Sequence, residues 1–140
     1  MPEIRPIPTE LVALIEVQPV LKELPQSARR KLISEASLMT FTKNVAMIEE
    51  DKKNGFLFLL LKGEAVAIMN GTEAGALEAG DIAGEISMSG ISPPIASVIT
   101  RSEVEAVAFP SSAIAQAILE NPEFGRSLKQ GAIQRIIGRS

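Results

Sequence analysis

The chain has 140 residues, 46% of them hydrophobic, and a formal charge of −3, enough apolar material for one domain with its own core. It contains neither cysteine nor histidine. That excludes disulfides, thiolate chemistry and histidine-built metal sites, and it removes the commonest general base. No nucleophile-and-base constellation stands out among the serines, lysines and glutamates. A non-enzymatic protein with no catalytic and no metal-binding residues is therefore expected.

The N-terminal stretch Met1-Pro2-Glu3-Ile4-Arg5-Pro6 has no apolar core and does not read as a signal peptide. The longest apolar run, Phe56 to Leu61, is too short to span a bilayer. A cytoplasmic protein with no membrane partner is the expectation. Between Gly63 and Glu120, eight acidic residues stand against a single arginine, Arg101, a balance of −7. Such a surface suits neither DNA nor RNA, which demand clustered Lys and Arg.

In chain order, Thr9 is an expected helix N-cap, with Glu10 in the first turn and Leu11, Leu14 and Ile15 at helical spacing. Pro19 limits that helix, and Leu21 and Leu24 form an apolar link. A second helix begins near Pro25 and carries Arg29, Arg30 and Lys31 beside Leu32 and Ile33. Three adjacent cations on one helix point in different directions, so they read as a solvated face rather than a nucleic-acid patch.

From Ser37 the pattern becomes short strands separated by turns. These are Leu38 to Phe41, Ala46 to Ile48, Phe56 to Leu61, Glu64 to Met69, Ala76–Leu77, Ile95 to Thr100 and Val104 to Phe109. Asn70-Gly71 is a hairpin signal, because both residues accept the positive φ of a type I′ turn. Many short strands of this kind predict an antiparallel sandwich or barrel. Beyond Pro110, Ser111 or Ser112 is an expected cap for a helix bearing Ile114, Ala117 and Ile118. Asn121-Pro122 then precedes a last helix with Phe124, Leu128, Ile133, Ile136 and Ile137.

The stretch from Gly80 to Thr100 organises the rest. It reads as a tight turn at Gly80-Asp81, a glycine at 84 that admits close backbone approach, one helical turn over Glu85 to Met88, a Ser/Gly/Pro loop and a β-branched strand. A one-turn helix leaves nearly all its N–H groups unpaired and so can receive an anion, while Glu85 can accept hydrogen bonds from hydroxyls. Together they form a cradle for a small polyol bearing an anion.

Here the sequence resembles the cyclic nucleotide-binding domain family, the type found in catabolite activators and protein kinase A regulatory subunits. The phosphate-binding cassette of that family reads roughly Phe-Gly-Glu-Leu-Ala-Leu, a short loop, then Pro-Arg-Ala-Ala-Thr-Val. Gly84, Glu85, Ile86, Ser87 and Met88 fit the first half; Pro93, Ala96, Ser97 and Val98 fit the second. Gly63, Gly80 and Gly84 occupy the family's turn glycines, and Asn44 and Asp51 stand at two more. Both residue types tolerate left-handed backbone.

The resemblance covers roughly residues 20–137. It implies a mainly β double-stranded β-helix jelly roll with flanking helices, one domain over 1–140, with helices over about 9–36, the roll over about 37–110 and C-terminal helices over about 111–138. It implies a regulatory, signalling role, with Gly84, Glu85, Ile86, Ser87, Pro94, Ile95, Ala96 and Ser97 as ligand-binding residues. A cyclic nucleotide such as cAMP would be a ligand rather than a cofactor. The family's glutamate takes the ribose 2′-hydroxyl, and backbone amides with one arginine hold the phosphate. That arginine position is Pro94 here, followed by Ile95, which is bulkier than the family's small residue. Weak binding of cAMP and cGMP is expected. Two readings stay open: a sensor of a small nucleotide-like ligand, or a ligand-free interaction or dimerisation domain. The resemblance also implies a last helix that lids the pocket or forms a homodimer. A complete chain of this length would be a stand-alone sensor or adaptor; an excised domain would have its effector elsewhere.

Overall fold

The computed structural model describes residues 2–49, 52, 55–84 and 96–128. Among these residues, nine strands form two antiparallel sheets. The strands are β1 (Glu3–Arg5), β2 (Ser37–Phe41), β3 (Ala46–Ile48), β4 (Phe56–Lys62), β5 (Ala65–Met69), β6 (Thr72–Leu77), β7 (Ile82–Ala83), β8 (Ser97–Thr100) and β9 (Val104–Pro110). One sheet has the order β1-β2-β9-β4-β7 and the other β3-β8-β5-β6, and neither closes into a barrel. Helices α1 (Thr9–Glu16), α2 (Gln26–Ser34) and α3 (Ser111–Glu120) flank the sheets, with a 3-10 turn at Pro19–Leu21 and a further helical segment over 122–128.

The apolar run of β4 is continuous because both of its faces are buried. Leu57 and Leu59 point to one core with Val107 and Phe109 of β9, against Ile15, Leu21, Leu24, Leu32, Ile33, Ile114, Phe124 and Leu128 from the helical layer. Phe58 and Leu60 point the opposite way with Ala106 and Ala108. They meet Met47, Ile48, Ala65, Ala67, Leu77 and Val98 of the second sheet. Phe58 also sets its ring edge-on to Phe41, centroids 5.7 Å apart, a favoured aromatic geometry.

Helix α2 begins at Pro25 as expected, whereas α1 and α3 begin differently from expectation. The N-caps are Pro8, Pro25 and Pro110, none with a side-chain capping bond. Each proline holds an extended ψ near 140–157°, so the backbone enters the helix already turned. The carbonyls of Pro8 and Pro25 accept from Leu11 and Arg29. Thr9 and Ser111 are thus first helical residues, not caps. Ser111 instead donates both its N–H and its hydroxyl to the Gly55 carbonyl, at 2.8 and 3.1 Å, which ties α3 to the start of β4. In α1 the buried face is Leu11, Val12 and Ile15, while Leu14 is 48% exposed.

The basic run on α2 is only partly solvated. Arg29 donates to the Glu16 carbonyl at 3.1 Å and Arg30 to the Glu16 carboxylate at 3.1 Å, clamping α2 onto the end of α1. Lys31 is exposed. The sheet also starts earlier than the sequence pattern indicated. β1 lies between Pro2 and Pro6, pairs Ile4 with Met39, and places Arg5 within 3.0 Å of Glu105.

The turn residues adopt the backbone that their identities permit. Asn70 and Gly71 join β5 to β6 with φ of 51° and 78°, and Asn44 has φ 64°. Gly63, at φ 92°, also has no room: a Cβ there would lie 2.2 Å from the Glu103 carbonyl oxygen and 3.0 Å from Val104. Gly71 has nothing within 4 Å. Gly63→Ala is therefore expected to lose at least about 2 kcal/mol, from backbone strain plus overlap, and Gly71→Ala only about 1–2 kcal/mol, from strain alone. Urea unfolding midpoints of the two variants measure the difference, and equal midpoints would contradict the close approach at Gly63.

Candidate functional site

The candidate cassette enters through a corner built by short-range hydrogen bonds. The Gly80 N–H donates to the Leu60 carbonyl at 2.8 Å, and the Leu60 N–H donates to the Asp81 carbonyl at 2.9 Å. The Asp81 carboxylate accepts from the Glu78 N–H at 2.9 Å, and the Asp81 N–H returns a bond to the Glu78 carbonyl. Gly80 has φ 95°, which an L side chain rarely adopts. The chain then runs as β7, with Ile82 opposite Leu59 and Ala83 opposite Phe58, and reaches Gly84 at φ 103°.

The exit from the cassette lies in the other sheet. Ala96 is half-buried and packs on the inter-sheet core, and Ser97 opens β8 opposite Ile68 of β5. Ala83, Ala96 and Val98 belong to one apolar cluster. Residues 84 and 96 therefore bracket a crossing from the edge of the five-stranded sheet to an interior strand of the four-stranded one, and both ends border the space between the sheets.

The far end of β8 is anchored by Thr100, a fully buried polar residue. Its hydroxyl donates to the Thr42 carbonyl at 2.6 Å and accepts from the Val45 N–H at 2.9 Å. Its backbone N–H donates to the Val45 carbonyl, and its carbonyl accepts from the Asn44 N–H, both at 2.9 Å. The positive φ of Asn44 lets the loop from Thr42 to Val45 wrap around this one residue. From the sequence Asp81 was named only as part of the Gly80-Asp81 turn, and Thr100 only as the end of a strand. An Asp next to a turn glycine is a usable signal for the first, whereas nothing marks the second before its burial is seen.

Of the residues expected to hold a ligand, the structure places Gly84 at the end of β7, and Ala96 and Ser97 at the start of β8. Glu85, Ile86, Ser87, Pro94 and Ile95 lie outside the described residues, as do Asp51 and the part of the last helix bearing Ile133, Ile136 and Ile137. Among the described residues, Lys52 is paired with Glu49 at 3.1 Å, Arg101 is exposed just beyond the end of β8, and Lys62 is exposed at the end of β4. No three acidic residues among them gather in a way that could hold a metal ion. No helix among them is long and apolar enough to cross a membrane.

The family model for the cyclic nucleotide-binding domain matches residues 38–121, more than half of the chain. The chain belongs to the cyclic nucleotide-binding domain family, whose members are regulatory rather than catalytic. No curated protein sequence matches it. Among solved structures, the regulatory domain of Toxoplasma gondii protein kinase A with cAMP is similar at TM-score 0.79 and 17% identity, over 90% of this chain and 51% of that one. The regulatory subunit of a cAMP-independent protein kinase A from Trypanosoma brucei gives TM-score 0.75 and 15% identity, over 86% and 46%. A Geobacter metallireducens protein named as cyclic nucleotide-binding gives 0.77 and 16%, over 91% and 96%. The chain thus spans about half the length of the two kinase regulatory chains and nearly all of the bacterial one. At these identities the likeness is one of fold.

Thr100→Val keeps the shape but removes the hydroxyl, leaving the part-buried Val45 N–H and the Thr42 carbonyl without that partner. A loss of about 1–3 kcal/mol is expected, with Thr100→Ser retaining most of the stability. Chemical denaturation of both variants tests this, and a Val variant as stable as the parent would refute the anchoring role.

Proposed function

We propose that this chain is a non-enzymatic regulatory or ligand-sensing module whose cassette keeps the family's frame but not its affinity for cAMP and cGMP. One observation carries the reading. The two ends of the cassette are held in register by β7 and β8, while the position that pairs the phosphate in the family is Pro94. Proline has neither a cationic group nor an N–H. A charge-assisted hydrogen bond to a phosphate contributes about 1.5–3 kcal/mol, so its loss weakens binding about tenfold to a hundredfold. Ile95 adds a branched side chain where the family has a small one, and Glu85, if left without a ribose to hold, would add repulsion toward any phosphate nearby.

The trypanosomal comparison supports this reading. That regulatory subunit is described as cAMP-independent. A variant of it with Glu→Ala, then Thr→Arg seven residues later and Val→Ala immediately after, is bound to cAMP in its A site. Ser87, Pro94 and Ile95 have the same relative spacing here. The reading places the protein in the cytoplasm, where cyclic nucleotides signal, with a small nucleotide-like molecule as its ligand.

Isothermal calorimetry with cAMP and cGMP, on the parent chain and on Pro94→Arg/Ile95→Ala, tests the proposal. The parent is expected to bind at least about tenfold more weakly than the double variant. Tight binding by the parent would overturn the reading. No binding by a folded double variant would show that the cradle itself is filled, favouring a ligand-free interaction or dimerisation domain.

A further inference from the structure

Among the described residues, β1 and β7 lie at the edges of one sheet, and β3 and β6 at the edges of the other. Three of these strands are poor templates for another chain. β1 has three residues between Pro2 and Pro6, β7 has two, and β3 has three with an irregular register. Shortness, flanking proline and irregularity are the usual protections of a sheet edge.

β6 is neither short nor flanked by proline, and its one irregularity is a register shift at Ala74, between Glu73 opposite Ile68 and Gly75 opposite Ala67. It runs for six residues, Thr72-Glu73-Ala74-Gly75-Ala76-Leu77, without proline or lysine, and pairs with β5 alone among the described strands. Thr72, Glu73 and Ala76 are exposed. The small side chains at 74–76 leave the outer backbone accessible to a second strand.

The charge around this edge has one sign. From Gly63 to Thr100 there is no lysine or arginine. Glu64, Glu73 and Glu78 are exposed, and none has an ion-pair partner among the described residues. Because Ala65 pairs with Leu77, Glu64 just before β5 and Glu78 just after β6 lie at the same end of the hairpin. A second copy pairing antiparallel, edge to edge, about Gly75 would set Glu73 of each copy close to Glu78 of the other, and like charges across a ladder are destabilising. A cationic strand would meet an opposite field.

We propose that the outer edge of β6 docks an extended, basic peptide segment of a partner protein, which adds to the sheet as a fifth strand. Main-chain hydrogen bonds to β6 supply the affinity, and the three glutamates select a Lys- or Arg-bearing sequence.

The test is an NMR titration of the isotope-labelled full chain with three peptides: Lys-Val-Lys-Thr-Lys-Val-Lys, the same sequence with Glu for Lys, and the basic peptide with alternate backbone nitrogens methylated. The basic peptide is expected to shift the amides of residues 72–77 and slow their hydrogen exchange, and the acidic peptide to do neither. Methylation, which removes strand-forming donors, should weaken binding about tenfold or more, as should Glu73→Lys/Glu78→Lys. The double variant should keep the parent's thermal midpoint. Equal binding of the methylated peptide would reduce the contact to charge alone and overturn the proposal. So would an absence of shifts at millimolar basic peptide, or a concentration-dependent dimer of the free chain that protects residues 72–77.

Discussion

The constraint on which the structure depends is that β4 and β9 are each buried on both faces. Their ladder runs from Phe56 opposite Pro110 to Lys62 opposite Glu105, and alternate side chains along it serve two separate cores. A pleated strand divides its side chains in this way automatically. One apolar face of the ladder fixes the helices, and the other fixes the distance to the second sheet. Small residues at Ala106 and Ala108, facing Ala65 and Ala67 across the inter-sheet core, allow the rings of Phe41 and Phe58 to fit between them. A one-residue slip of β9 would exchange the two sets and satisfy neither.

This double burial also explains what the sequence could and could not reveal. Strands and turns with strong local chemistry were legible: the apolar run of β4, the Asn70-Gly71 hairpin, the positive-φ positions at Gly63, Gly80 and Gly84, and the interruption at Pro19. Asn44 in place of a family glycine was also legible, because few other residues accept its backbone angle. β1 was not. Three residues with one apolar side chain carry too little periodicity, and the strand forms only because β2 offers a partner. The helix starts were misread because Thr9 and Ser111 have the chemistry of caps, but a proline precedes each and already fixes the entry angle. In α1, Leu14 and Val12 were exchangeable on pattern alone, and only the position of the sheet beneath decides which is buried.

At the candidate site only the flanks bear on the sequence reading: Gly84 has the positive φ that a local backbone need demands, and Ser97 opens β8. The supports differ in how far they reach. Asp81 holds the entrance through the Glu78 amide three residues away, a local turn that an Asp beside a glycine signals. Thr100 holds the exit strand through a loop some 55 residues distant in sequence, and a long-range bond of that kind leaves no periodic trace. The clamp of Arg29 and Arg30 on Glu16 is similar: the three-cation run suggested solvent, and two of its members are spent on joining helices.

These supports bear on how the fold relates to its ligand chemistry. The hydrogen bonds described at the Gly80–Asp81 corner and at the Thr100 anchor join residues outside the stretch that contains Pro94. Backbone bonds to Leu60 hold one, and the turn at Asn44 holds the other. These bonds hold the two ends of the cassette through residues other than those expected to meet a ligand. Because folding and recognition draw on different residues, membership of the family fixes the architecture while leaving the ligand free to change. Turn positions can then keep their glycine, as at Gly63 and Gly80, or take another residue that accepts the same backbone, as at Asn44, independently of the ligand.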